Sequence, residues 1–197
     1  YRSGAHRRFA DGVEPAMDGD IVLDERLRTI TLRRQLLIDL GAVAKGLAID
    51  LAARELAPLV NYSIDAGGDL YLAGQGPDLG WRVGIQHPGW PGALAGVLEL
   101  TDLAVCTSGD YLRRGAGADE QHLVDPRTGK SPSEAASVTV VAPSAMLADG
   151  LSTAAYVLGP EKGLALVAES GAEGLVLTPR LEKIATPGMQ SLLREAE

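Results

Sequence analysis

Short β-branched runs separated by turn residues fill most of the chain, and four stretches are read as helical. The stretch to start from runs from Ser137 to Gly159. Ser137-Val-Thr-Val-Val-Ala142 is short and β-branched, which predicts a strand. Pro143 breaks it, and Ser144 is suited to cap a helix because its hydroxyl accepts a bond from an orphan backbone N–H. Beyond it Leu147, Leu151, Ala154 or Ala155, and Leu158 form one apolar stripe, and Gly159-Pro160 supplies a helix stop. A second helix is expected from Ala42 to about Leu59 on Val43, Leu47, Leu51 with Ala52, and Leu56. A third covers Glu161–Ser170, and a terminal helix is expected over Met189–Glu197.

The strand pattern predicts a hairpin over residues 20–32. It continues with Tyr62–Asp65, Leu70–Ala73, Trp81–Ile85, Leu94–Leu100, Leu103–Cys106, Gln121–Val124 and Leu175–Leu177. Asp65-Ala-Gly-Gly-Asp69, Thr107-Ser-Gly-Asp110 and Asp125-Pro-Arg-Thr-Gly129 read as turns. Strands outnumber helices and short turns join most neighbours. The expected class is therefore α+β, mainly antiparallel sheets with helices packed on them. Residues 1–19 show no periodicity and read as an irregular arm, followed by one domain over 20–197. No internal repeat or low-complexity segment is visible.

Composition narrows the function classes. At 197 residues with 46% hydrophobic positions the chain can bury one sizeable core, built from aliphatic residues because aromatics make up only 4%. The net charge of −8 and the absence of a long basic run argue against a nucleic-acid binder. No apolar run reaches membrane-spanning length. A single cysteine, Cys106, excludes an intrachain disulfide and leaves the compartment open. The first residues, Tyr1-Arg2-Ser3, carry no initiator Met and no signal-like segment, so the expectation is the downstream part of a longer or processed protein.

Several groups of residues carry chemistry. Asp149 and Thr153 are four apart on one helix and lie one above the other. A carboxylate and a hydroxyl together offer two hard oxygen ligands for Mg²⁺, although such a pair is also common on a solvated helix face. Gly150 between them hints at a close backbone approach. Gly41 and Gly46 leave backbone uncovered near the start of the second helix, with Lys45 in the same turn. That combination suits an anion such as a phosphate, or a tight turn with an exposed lysine. It is not a P-loop, because no Gly-Lys-Ser/Thr follows. Gly67, Gly68 and Asp69 would let a flat ligand lie against backbone. Thr107, Ser108 and Gly109 could cradle a phosphate, and His122 alone reads as structural.

Taken in order, six motifs resemble the ApbE family of flavin transferases. They are Asp39-Leu-Gly-Ala-Val-Ala-Lys-Gly46, Asp65-Ala-Gly-Gly-Asp69, Trp81-Arg-Val-Gly-Ile85, Ala104-Val-Cys-Thr-Ser-Gly-Asp110, His122-Leu-Val-Asp-Pro-Arg-Thr-Gly129 and Val138 through Leu158. The resemblance covers nearly the whole chain from about residue 20. It implies a T-fold-like architecture, FAD and Mg²⁺, and transfer of FMN to a Thr or Ser hydroxyl of a target flavoprotein with release of AMP. It also implies that Asp149, Thr153 and the Ala48 carbonyl hold the metal, and that Lys45 and the residues around Gln121-His122 line the nucleotide. His122 becomes a candidate to position or deprotonate the acceptor hydroxyl, and Asp149 is counted with it as catalytic.

Two readings stay open beside transfer: a metal-dependent FAD pyrophosphatase and a non-catalytic flavin carrier. Family members are bacterial and often exported, anchored by an N-terminal lipid. The family's upstream Phe-Asp motif is not matched by Phe9-Ala10-Asp11, which lies too near Asp39. The upstream lobe is therefore expected to be absent, and the chain alone is expected to bind FAD poorly. Cys106 stands where a small residue such as Ala is usual, and Cys packs as a small hydrophobe.

Overall fold

The computed structural model describes residues 19–36, 38–77, 80–109, 123–128 and 130–195. The expected arm, Phe9-Ala10-Asp11, Gln121, His122 and the far end of the expected terminal helix lie outside the described residues or largely so. The expected hairpin forms from β1 (Ile21–Asp24) and β2 (Thr29–Leu32). Six strands make the main sheet: β3 (Tyr62–Asp65), β4 (Leu70–Ala73), β7 (Leu103–Gly109), β8 (Ser137–Ala142), β9 (Glu173–Leu177) and β10 (Lys183–Ala185). Their order is β10-β9-β8-β7-β4-β3, antiparallel throughout. A three-stranded antiparallel sheet, β11-β6-β5, is built from β5 (Trp81–Gln86), β6 (Leu94–Leu100) and β11 (Leu193–Arg194). The class is α+β, as the pattern predicts.

The main sheet is the middle of three layers. Helices α1 (Ala44–Leu56), α2 (Ala145–Leu158) and α3 (Pro160–Glu169) cover one face. The small sheet and α4 (Pro187–Leu192) cover the other. Period-two alternation sends Val138, Val140 and Ala142 of β8 to the helices and Val141 to the small sheet. All six residues of β8 are therefore buried.

Four local expectations are corrected. Thr107, Ser108 and Gly109 are not a turn; they finish β7 and pair with Thr139, Val138 and Ser137. The last helix is short, and the chain then turns into β11 at Leu193, where pairing with Leu98 of β6 outcompetes helix extension. Leu123 and Val124 form no strand; the next pairing is a single bridge between Asp125 and Lys130. On α2 the buried face keeps Leu151 and Ala155 of the expected stripe but adds Ala145, Ala148, Asp149, Ser152 and Tyr156. Small residues let this helix sit close to the sheet and to α1 and α3, and that displaces Leu147 and Leu158 to its half-buried flanks.

Helix α1 crosses the start of α2 through residues one turn apart. Gly46 packs directly on the Ala145–Met146 backbone. Asp50 accepts hydrogen bonds from the N–H groups of Ala145 at 2.7 Å and Met146 at 3.0 Å, while Ser144 Oγ accepts from Leu147 N–H at 3.3 Å. A carboxylate at a helix N-terminus both satisfies orphan donors and complements the dipole. Asp50→Ala is expected to lower stability by about 1–2 kcal/mol, read as a lower urea midpoint at unchanged slope.

Candidate functional site

The α1–α2 crossing meets the end of β7 at a polar cluster inside an otherwise apolar layer. Asp149 is only 5% exposed. Its Oδ2 accepts the Gly46 N–H at 3.0 Å. Asp69, at the end of the β3–β4 turn and 2% exposed, is ion-paired with the Lys45 ammonium. Cys106 of β7 is fully buried, and its thiol donates to the Ala145 carbonyl at 3.6 Å. Ser108 Oγ lies 2.8 Å from Ser152 Oγ and 3.1 Å from Thr153 Oγ1, and Ser152 donates to the Asp149 carbonyl at 2.9 Å.

Burial pushes the Asp149 carboxyl above the usual carboxylate range. The Gly46 N–H opposes that push, the Asp69 charge adds to it, and Lys45 opposes it. Burial likewise raises the Cys106 thiol, with Asp69 and then Asp149 adding to the effect. Cys106 thus behaves as the small packed residue the sequence suggests, and is not a reactive thiolate.

The structure brings Lys45, Asp69, Ser108, Asp149 and Thr153 into one neighbourhood. It also shows why parts of the sequence reading change. The α1 N-terminus is not bare: Gly41 N–H is taken by Asp39 Oδ1 at 2.6 Å and Gly46 N–H by Asp149. Lys45 in that turn faces a buried carboxylate rather than an open cradle. Asp149 is not on a solvated face. Thr107 points to the opposite face of the main sheet from Ser108, where its hydroxyl meets Thr139 Oγ1 at 2.9 Å. Gly109 is buried at the end of β7. Gly67 and Gly68 form the β3–β4 turn with φ of 71° and 96°, and Gly68 N–H is bonded to Asp65 Oδ1 at 2.8 Å. Ala48 lies on the exposed side of α1, two residues beyond Gly46. Gln121 and His122 lie outside the described residues.

Two residues escaped the sequence reading. Ser152 is a lone hydroxyl among Ala145, Ala148 and Ala155, so the small-residue face of α2 was its signal. Asp50 follows Gly46 by four, which places both on the face of α1 that meets α2.

The oxygens here suit a hard divalent cation. Asp149 supplies a buried carboxylate held above its ordinary pKa, a state that an added positive charge relieves. Thr153 adds a hydroxyl one turn on. Among the described residues no group of three or more His, Cys, Asp or Glu side chains converges.

Comparison with known proteins decides the family. The ApbE family profile matches residues 10–176. The chain belongs to the ApbE family. A curated relative, the FAD:protein FMN transferase of Haemophilus influenzae, is 36% identical over 155 residues, covering 73% of this chain and 45% of that protein. The FAD:protein FMN transferase of Treponema pallidum is 34% identical over 173 residues, 80% of this chain and 48% of that protein. Among solved structures, the ApbE protein of Thermotoga maritima superposes with a TM-score of 0.78 at 27% identity, covering 96% of this chain and 63% of that one. The apo flavinyl transferase ApbE of Pseudomonas stutzeri gives 0.74 at 31% identity, over 93% and 60%. This ApbE-family chain spans about half the length or less of the curated relatives it matches. Among its described residues no helix is long and apolar enough to cross a membrane.

Proposed function

We propose that this chain carries the metal-side part of a Mg²⁺-dependent FAD:protein FMN transferase. The observation that carries the reading is the meeting of Asp149, Thr153 and the start of α1 in one polar cluster, in a chain whose curated relatives are named FAD:protein FMN transferase. In the reaction, the acceptor Thr or Ser oxygen bonds to the FMN phosphorus. The bond from that phosphorus to the bridging oxygen breaks, AMP leaves with the bridging oxygen, and the hydroxyl proton passes to a base.

Asp149, Thr153 and the Ala48 carbonyl would hold the cation. When bound, the cation supplies charge stabilisation for the pyrophosphate oxygens. The chain's own residues do the rest. Asp69 orients the Lys45 ammonium at the nucleotide side. The turn at Gly67-Gly68 offers flat backbone, and Ser108 and Gln121 belong to the segments that border the nucleotide. His122 holds or removes the acceptor proton, since a hydroxyl is a poor nucleophile unaided. The acceptor is a target flavoprotein bearing a Thr or Ser hydroxyl.

Incubation of the full-length protein with FAD, Mg²⁺ and an acceptor bearing a target Thr tests this by mass spectrometry. The expected result is an FMN-modified acceptor plus AMP, abolished by EDTA. Free FMN plus AMP with unmodified acceptor would show a pyrophosphatase, and intact bound FAD a carrier.

A further inference from the structure

The hydroxyl hydrogens around Thr153 can be assigned by counting. Ser152 Oγ meets the Asp149 main-chain carbonyl, which only accepts, so Ser152 is the donor. A hydroxyl has a single hydrogen. With that of Ser152 engaged, the 2.8 Å contact with Ser108 must be donated by Ser108. The hydrogen of Ser108 is then engaged as well, so the 3.1 Å contact with Thr153 must be donated by Thr153. Three contacts use three hydrogens, and no other arrangement satisfies all of them. Ser152 is 1% exposed, so leaving a member unpaired there would carry a desolvation penalty. Thr153 Oγ1 is left with no hydrogen to offer, and among the described residues no donor reaches it.

We infer that Ser108 and Ser152 are positioning residues that make Thr153 an acceptor-only oxygen, its lone pairs turned away from Ser108 and presented to a divalent cation. This rests on the metal reading of Asp149 and Thr153. The relay runs in one direction, Thr153 to Ser108 to Ser152 to the Asp149 carbonyl, and ties one proposed ligand to the backbone of the other. It also redefines Ser108. Its hydrogen is held by Ser152, so it is not a donor for phosphate. An outward-facing Thr153 hydrogen would repel a cation; the relay removes that orientation.

Removing either serine undoes the polarity in a different way. Ser108→Ala takes away the acceptor of the Thr153 hydrogen, which then rotates freely. Ser152→Ala takes away the acceptor of Ser108, whose hydrogen turns to Thr153 and occupies a lone pair. Ser108→Thr restores the hydroxyl on a strand position that suits a β-branched residue.

The test is titration of the 197-residue chain with Mn²⁺, free ion followed by electron paramagnetic resonance, alongside metal-free thermal unfolding. The parent is expected to bind Mn²⁺ and Asp149→Asn to lose it. Ser108→Ala and Ser152→Ala are expected to bind about 10–100-fold more weakly, and Ser108→Thr to recover most of the loss. Recovery in Ser108→Thr separates orientation from mere packing, and Ser152→Ala serves independently should Ser108→Ala fail to fold. Parental Mn²⁺ affinity in both alanine variants, with Asp149→Asn dead, would overturn the relay and leave the metal site standing. No Mn²⁺ binding by the parent, or binding indifferent to Asp149→Asn, would overturn the metal reading and the relay with it.

Discussion

Gly46→Ala is expected to destabilise the protein by about 3 kcal/mol or more, although alanine is the better helix former. Intrinsic propensity favours alanine in a helix by about 1 kcal/mol. Against that, a Cβ at position 46 would lie 2.3 Å from the Ala145 carbonyl oxygen, 2.5 Å from its carbon and 2.6 Å from Met146 Cα. All three are backbone atoms at the start of α2, held by the Asp50 cap, so neither helix can yield by a side-chain rotation. Overpacking of this kind costs about 1–3 kcal/mol and occasionally more. Separating the helices also breaks the Gly46 N–H bond to Asp149, leaving a buried donor and a buried carboxylate short of a partner for a further 1–3 kcal/mol or so. For a chain of this length the sum corresponds to a fall in Tm of about 6–12 °C. Gly150→Ala is the matched control. Its Cβ would meet only Val43 Cγ1, at 3.3 Å, and a side-chain methyl can give by a few tenths of an ångström. The two substitutions should differ sharply in differential scanning calorimetry; equal Tm values would mean that the α1–α2 crossing is looser than described.

That contrast shows where the sequence was legible. Strand and helix content followed from β-branched runs and helical spacing, because those signals are local. The close approach did not. Both glycines break a helical pattern in the same way, and the close approach expected at Gly150 is made by a side chain, Val43 Cγ1. Only tertiary packing puts the backbone contact at Gly46. Asp149 is the parallel case for the site. Its position off the Leu stripe reads as solvent-facing, but α2 is covered by the sheet and two helices, so three sides of it are buried. Thr107 and Ser108 are adjacent in a polar run that reads as a turn. Strand β7 extends through them, and its alternation sends one to each face of the sheet. The family resemblance singled out Asp149 and Thr153, whereas the Ser108–Ser152 bridge depends on β7 lying against α2 and has no signature in either segment alone.

Asp149→Asn is expected to lower Mg²⁺-dependent turnover of the full-length protein by about 10–100-fold or more while making the metal-free protein more stable. The amide keeps the shape and retains an oxygen to accept the Gly46 N–H, so the α1–α2 crossing survives. This makes it a cleaner probe than alanine, which would strand that N–H in the buried site. What changes is charge. Losing the one carboxylate of the proposed ligand set should cost at least as much as losing a supporting residue around a metal, which is already about 10–100-fold. The stability effect has the opposite sign. Burial, reinforced by Asp69, holds the Asp149 carboxyl above its ordinary pKa. Between the unfolded value and that raised folded value the native state binds more protons than the unfolded chain, so stability falls as pH rises through the window and stays lower above it. The amide of the variant does not titrate. The variant and parent should therefore match below the ordinary carboxylate range, and the variant should lead above the raised pKa. Saturating Mg²⁺ reverses the order: at about a hundred times Kd the parent gains about 2.7 kcal/mol and the variant gains little. Thermal unfolding in EDTA across pH, repeated with Mg²⁺, checks both halves. A variant no more stable than the parent in EDTA at neutral pH would contradict the buried-charge account, and equal stabilisation of both proteins by Mg²⁺ would place the cation away from Asp149.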